Sequence, residues 1–372
     1  MIQQKTIDNF DDFMRLRQAW NELVANTEVD HAFMKHEWFA EWIKAFEVQN
    51  QLAVVTLWSD GILEAAAPIY RQRLHFRKIK ADGLSFLSSA ISPRCNFIAA
   101  DKQVLTSLID NVLKLRNWDI LYLENIEEEI ETSRTLFDFL RSYRHGYDYR
   151  LDPLFQSPYL LVKGSWEDYW QSLPQKRREY LDFYCQKRLA KAKSHKIVSL
   201  DSVADFGSFV GRMFEISGKS WKAAGGTHLQ PNTPEGHIYS NFTRIALEAG
   251  WVKIYALSID GQVIGFNYFL FCNNKYSLIR TDYDEAFKYY SPGNTLTLSI
   301  LRELHGKPGP IEFDMGGGPD PYKLDWCDKI RKHVALTVGN RNLRGRSILF
   351  AQNRVMPSWH ALAGLLGHKV AR

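Results

Sequence analysis

An α/β protein built from two copies of one unit is what this sequence predicts, and three observations point there. Helical and extended periodicities alternate along the chain. A length of 372 residues suits two domains of ordinary size better than one. Two stretches also share a plan. VVTLWSDGILEAAAPIY (54–70) matches IYALSIDGQVIGFNYFL (254–270), each a strand, an Asp-Gly turn and a strand. VLTSLIDNVLKLRNWDILYL (104–123) parallels NTLTLSILRELHGKPGPIEFD (294–314), each a Leu-rich helix followed by one buried strand.

In the first copy, Asp11–Val24 places Phe13, Leu16, Trp20, Leu23 and Val24 on one helical face, with acidic residues at the start where the helix dipole favours them. His36–Phe46 repeats the pattern through Trp38, Phe39, Trp42, Ile43 and Phe46. Leu52–Trp58 and Ile62–Tyr70 read as a hairpin, because Asp60-Gly61 favours a primed turn. Leu84–Ser89 and Asn96–Ala100 read as short strands, Val104–Leu115 as a helix, Asp119–Leu123 as a buried strand and Thr135–Ser142 as an amphipathic helix running on to Tyr143. The two copies are expected to join near Asp152–Ser157.

The second copy opens with extended Tyr159–Val162, a helix at Trp166–Ser172 and a long basic helix at Gln175–Lys196. Val203–Ser217 and His237–Ala249 read as helices around a Pro- and Gly-bearing loop at Thr227–Gly236. The second Asp-Gly hairpin follows, then a strand at Tyr276–Arg280, a helix at Asn294–Leu304 and strands at Ile311–Asp314 and Val334–Val338. Val355–Val370 reads as a short amphipathic tail helix that packs back or meets a partner. The expected division is therefore 1–155, 156–345 and a tail at 346–372.

Composition narrows the class. Hydrophobic residues make up 45% and charged residues 24%, which is ordinary globular usage, and a net charge of +5 makes the whole molecule no strong polyanion binder. The first sixteen residues hold Asp8, Asp11 and Asp12 and no apolar core of a signal peptide. No apolar run approaches the roughly 20 residues of a membrane span. Cys95, Cys185, Cys272 and Cys327 form no C-x-x-C pair and no zinc spacing, which fits a reduced, cytoplasmic chain with buried thiols.

The chemistry gathers between Tyr276 and Trp326. Ser291-Pro292-Gly293-Asn294 stands immediately before a helix, whose free N–H groups and dipole suit a phosphate. Gly293 would admit a pyrophosphate closely, and Ser291 or Asn294 serves equally well as a plain cap. Thr295 completes the turn. Asp314-Met-Gly-Gly-Gly-Pro-Asp-Pro-Tyr-Lys (314–323) puts Gly316, Gly317 and Gly318 after a buried strand, which suits close ligand approach or a loop that moves. Tyr322 can protonate a leaving thiolate, and Lys323 can hold a phosphate or act as base. Asp314 can orient an amine or cap the loop. Asp282 and Tyr283, in Arg280–Asp284, are expected on the same edge as Asp314, where paired carboxylates suit amine deprotonation or serve only to form the turn. In the first copy the counterpart of the glycine loop reads ENIEEEIE, so that copy looks degenerate for chemistry.

Lys176–Lys196 carries eight basic residues against Glu179 and Asp182, a larger surplus than that of the whole chain. A tRNA, a polyphosphate or an acidic carrier would fit it, as would a plain solvated face. No P-loop, G-x-S-x-G, H-E-x-x-H or G-x-G-x-x-G pattern is present.

These residues resemble a known family. Tyr283-Asp284, Phe287, Ser291-Pro292-Gly293, Leu296, Phe313-Asp314, Gly316, Gly318, Tyr322-Lys323 and Trp326 follow the pattern of the GNAT acyltransferase superfamily. More narrowly, they resemble its CelD-like group of cellulose and exopolysaccharide biosynthesis, and the tandem plan is similar to that of Fem transferases. The resemblance implies in each unit a mixed, largely antiparallel central sheet flanked by helices, with middle strands splayed to admit a pantetheine arm. It places pyrophosphate on the loop Tyr290–Thr295 and a general acid at Tyr322. Acyl-CoA, acetyl-CoA first, is the implied co-substrate, and a small molecule or sugar amine the acceptor. The usual R/Q-x-x-G-x-G/A loop is replaced by S-P-G-N. A Fem-like transfer from aminoacyl-tRNA, or a catalytically silent scaffold in polysaccharide assembly, stands as the alternative.

Overall fold

The two Asp-Gly turns adopt the conformation that their residues favour. Asp60 and Gly61 have φ of +50° and +83°, Asp260 and Gly261 +49° and +83°, the left-handed pair that a two-residue hairpin requires. A computed structural model describes residues 2–76, 79–142 and 146–351 of the chain.

Two compact units are present, and neither is continuous in sequence. Of the described residues, the first comprises 2–29, 47–155 and 332–351; the second comprises Asp30–Phe46 and Gln156–Arg331. A single cut after residue 155 therefore does not describe them. In chain order the first unit begins with β1 (Gln3–Ile7), α1 (Phe10–Met14) and α2 (Arg17–Ala25). The chain then gives α3 (His36–Ala45) to the second unit and returns with β2 (Val54–Ser59), β3 (Ile62–Ala67), β4 (Ile69–Phe76), β5 (Ile79–Phe86), β6 (Ile98–Ala99), α4 (Lys102–Leu113), β7 (Ile120–Glu127) and α5 (Glu131–Arg141). β8 (Tyr149–Val162) runs through the expected joint at Asp152–Ser157, which is strand and not linker.

The second unit continues with α6 (Trp166–Ser172) and α7 (Gln175–Leu181). The long basic helix expected to Lys196 is broken: Asp182–Lys187 is a π-turn, Leu189–Lys191 a 3-10 turn, and β9 (His195–Leu200) is an edge strand. π-turns of this kind recur at functional sites. After α8 (Val203–Gly218) and α9 (Pro234–Glu248) come β10 (Val252–Ile259), β11 (Gln262–Cys272), β12 (Lys275–Tyr283), α10 (Pro292–His305), β13 (Ile311–Asp314), α11 (Pro321–Leu324) and β14 (Lys329–Gly339). The expected tail helix at Val355–Val370 lies outside the described residues, as does Tyr143.

In the second unit, β9, β10, β11 and β12 pair antiparallel in sequence order; β12 then pairs parallel with β13, and β13 antiparallel with β8. One face of this sheet packs Tyr255, Leu257, Phe269 and Tyr276 against Leu296, Ile300, Leu301 and Leu304 of α10. On the other, Phe209 of α8 meets Phe266 edge-on, and Tyr239 of α9 meets Tyr268. Trp38 of α3 packs at 5.0 Å on Phe242 of α9, which holds α3 in this unit. The first unit repeats the local order: β5 pairs parallel with β7 across α4, and β7 antiparallel with β14. A second sheet there runs β1-β2-β3-β6. All four cysteines are buried and free. Among the described residues no helix is long and apolar enough to cross a membrane.

Candidate active site

The site begins where two parallel strands part. β12 and β13 pair only through Lys275–Ser277 and Glu312–Asp314. Beyond that, β12 continues to Tyr283, whereas Met315 turns away and donates its N–H to Pro158 O at 3.0 Å. Gly316 sits at the fork with φ +73°, and a Cβ there would lie 2.5 Å from Leu278 O, so only glycine fits. Asp284 N–H donates to Ile264 O at 2.8 Å. In an antiparallel ladder that phase turns the backbone groups of Thr281 and Tyr283 away from β11, to the open side. There a cleft of about 360 Å³ lies between Leu278, Thr281 and Tyr283 of β12 and Met315, Tyr322 and Trp326 beyond β13. Ser291–Asn294 and Thr297 of α10 close one end, and Tyr180, Trp221, Lys222 and Lys288 complete the wall.

The start of α10 is left open. Ser291 is left-handed (φ +46°, ψ +56°) and makes no side-chain cap, a conformation that costs roughly 1–2 kcal/mol for an L-residue. Pro292 has no N–H, and Thr295 N–H already bonds Ser291 O at 2.9 Å. The N–H groups of Gly293 and Asn294 therefore have no acceptor within the helix, and both residues line the cleft. A Cβ on Gly293 would meet nothing within 4 Å, so the approach is clear. Asn294 Oδ1 accepts from Arg177 Nη2 at 3.1 Å, and that guanidinium stacks 4.7 Å over Trp326. Thr295 is buried and its hydroxyl donates to Tyr290 O, so its side chain is not available to a phosphate.

The expected chemical residues divide. Tyr322 lines the cleft and is 44% exposed; the protein packed around it, and then Asp320, push its pKa up to about 12, which keeps it a proton donor. Lys323 does not line the cleft. Its buried ammonium donates to Gly317 O and pairs with Asp320 at 3.3 Å, which pins the glycine loop. Gly318 N–H donates to Gln156 O at 2.8 Å. None of Gly316, Gly317 and Gly318 lines the cleft; the loop shapes the fork instead of touching a ligand in it. Asp314 is buried, with one oxygen on Arg331 (2.7 Å) and the other on Gly316 N–H (2.7 Å). Asp282 is buried on the α8 side, where Ser217 Oγ donates to it at 2.7 Å, Arg280 Nε at 2.6 Å, and Lys222 pairs at 2.7 Å. The two carboxylates are not neighbours. Asp314 stands opposite Ser277, and Asp282 lies five residues further along β12, about 16 Å at strand rise. A shared proton between them is excluded.

Residues 176–324 match a family model described as an acetyltransferase (GNAT) domain. No curated protein matches the chain in sequence. The chain is similar in structure to FemX, with a TM-score of 0.58, 10% identity, and coverage of 89% of this chain and 96% of that one. It is likewise similar to L-PGS from Bacillus licheniformis (TM-score 0.54, 10% identity, 95% and 99% covered). A conserved protein of unknown function from Bacteroides thetaiotaomicron gives 0.55 at 11% identity, with 91% and 100% covered. The matched residues carry a GNAT-superfamily acyltransferase fold.

A GNAT domain supports acyl transfer from acyl-CoA in general. Sequence reasoning missed two residues of this cleft, Trp221 and Lys222. Lys222, in a 3-10 turn at Trp221–Ala223, donates to Thr281 O at 2.7 Å and has its pKa lowered, chiefly by burial. Trp221 beside it is 63% exposed. Tyr283 is pushed up to about 12 by burial and then by Glu285. Trp221 and Lys222 stand in no motif, and only the tertiary fold carries them to β12. Tyr283 is expected at this strand end and lines the cleft, whereas Asp282 next to it alternates to the opposite face.

Proposed function

We propose that the second unit transfers an acyl group from acyl-CoA, acetyl-CoA first, to an amine or hydroxyl on a small-molecule or sugar acceptor in surface-polysaccharide or cell-envelope metabolism. One observation carries this reading: a single cleft joins two open helix amides, at Gly293 and Asn294, to a protonated tyrosine, Tyr322. A pyrophosphate on those amides would lay the pantetheine arm along the β12 edge at Tyr283, Thr281 O already accepting from Lys222. The acceptor nitrogen or oxygen then attacks the thioester carbonyl and forms the new acyl bond. The C–S bond breaks, the departing thiolate takes the Tyr322 proton, and the proton lost by the acceptor returns to Tyr322 through solvent. Orientation supplies most of the rate. Asp282 and Asp314 act here through others, Asp282 by holding Lys222 and Asp314 by fixing the fork, because their oxygens are already engaged. Lys323 holds the loop that presents Tyr322. The polysaccharide context rests on the motif resemblance to the CelD-like group. The first unit is proposed to be a GNAT-like copy without chemistry.

A second reading, Fem-like transfer from aminoacyl-tRNA, is supported by the likeness to FemX and by the basic segment. There Arg188 stacks on Tyr184 (4.1 Å) and Tyr289 (4.5 Å), and Phe183 and Tyr289 are exposed. Calorimetric titration at two salt concentrations separates the readings. Acetyl-CoA binding that changes little with salt supports the first; tRNA binding that collapses between low and moderate salt supports the second. No binding of any acyl-CoA at millimolar concentration would favour a silent scaffold.

A further inference from the structure

The protein alone does not balance the charge around Lys222. Lys222 and Arg280 share one carboxylate, Asp282, whose side chain is fully buried, and the two cations are themselves only 17% and 15% exposed. Lys323 stands close enough to act on Lys222 as well, and its own partner is Asp320. One positive charge is left over in a cluster largely withdrawn from water, where an unpaired charge is unfavourable. An ammonium has three N–H donors. Those of Lys222 meet Thr281 O and Asp282, which leaves one uncommitted on a residue that lines the cleft. Among the described residues no carboxylate lines that cleft, and its other charged residue is Lys288. A polyamine or other cationic acceptor would be repelled. Trp221, mostly exposed in the same wall, offers a flat face to a ring.

Resting on the acyltransferase reading, in which the donor's phosphates occupy the start of α10, we propose that Lys222 binds a carboxylate or phosphate carried by the acceptor, so that this enzyme acylates an anionic sugar-like molecule whose ring lies against Trp221. The test titrates the full-length protein with two matched pairs: glucosamine 6-phosphate against glucosamine, and glucuronate against glucose. The phosphate or the carboxylate member should bind about tenfold or more tighter than the partner that lacks that anion, the scale of a charge-assisted hydrogen bond. The pair that responds identifies the anion. Lys222→Met should erase the difference, Lys222→Arg should keep most of it, and neither should move acetyl-CoA affinity beyond about twofold. Equal binding within both pairs, including none, overturns the proposal. So does a Lys222→Met variant that weakens acetyl-CoA as much as the anionic sugar, because Lys222 would then serve the donor. Should Lys222→Met fail to fold, the wild-type pairs and Lys222→Arg still decide. Acetyl transfer to the sugars is measured separately. Selective anionic binding without any transfer would leave the anion site standing and defeat the acyltransferase reading.

Discussion

The crossover helices of the two units, α4 and α10, begin in opposite ways. Asp101 caps α4 with its own carboxylate, accepting from Val104 N–H at 2.9 Å, and the Glu28 carboxylate takes the N–H groups of Glu131 and Thr132 at the start of α5. Ser291 leaves α10 uncapped. The parallel pairs differ likewise. Past the β5–β7 pairing, Cys95 N–H bonds Asn125 O at 3.1 Å and Asn125 Nδ2 reaches Ser89 O, so the chain around 89–95 covers the edge of β7. Past the β12–β13 pairing, the edge faces a cleft. One strand–helix–strand plan thus has its free backbone groups met by side chains in one copy and left facing a cleft in the other.

Four substitutions test that contrast, from the largest effect to the smallest. Tyr322→Phe removes the proton donor and should lower kcat by roughly 10²–10⁴ while leaving acetyl-CoA affinity in calorimetry unchanged. With a pKa near 12, the wild-type tyrosine stays protonated through neutral and mildly alkaline pH. The alkaline fall of kcat should therefore not occur below about pH 10 on its account; a limb near pH 8 that disappears in the Phe variant would refute the assignment. Gly316→Val drives a side chain into Leu278 O from a left-handed backbone. A loss of about 2–4 kcal/mol in urea unfolding is expected, with the cleft lost as well. Gly293→Asp places a carboxylate where open space and two free amides now wait, and should weaken acetyl-CoA about tenfold or more without lowering Tm. Asp101→Ala, the matching change in the first unit, should cost about 1 kcal/mol of stability and leave transfer untouched.

How much of this was legible follows from what each signal depends on. The Asp-Gly hairpins, the start of α10 and the strand Ile311–Asp314 rest on local turn chemistry and periodicity, and were readable. Only the middle of β8, Asp152–Ser157, reads as a joint because Pro153 and Pro158 bracket it, although prolines are tolerated where no ladder N–H is needed. The basic helix was drawn too long because a π-turn at Asp182–Lys187 preserves the polar composition while shifting the period. The transfer of α3 to the second unit is a tertiary fact with no local trace. The same holds for the site: the glycine run and Tyr322 announced themselves. Which groups face the cleft and which are held by Arg331, Arg280 or Gly317 depends on partners distant in sequence.

A crystal structure of the full chain grown with acetyl-CoA tests the central claim most directly. The account predicts one CoA per chain, its pyrophosphate within hydrogen-bond reach of Gly293 and Asn294 N–H and its thioester beside Tyr322. A CoA seated at the start of α4 or α5, or a cleft still empty at millimolar ligand, would contradict it.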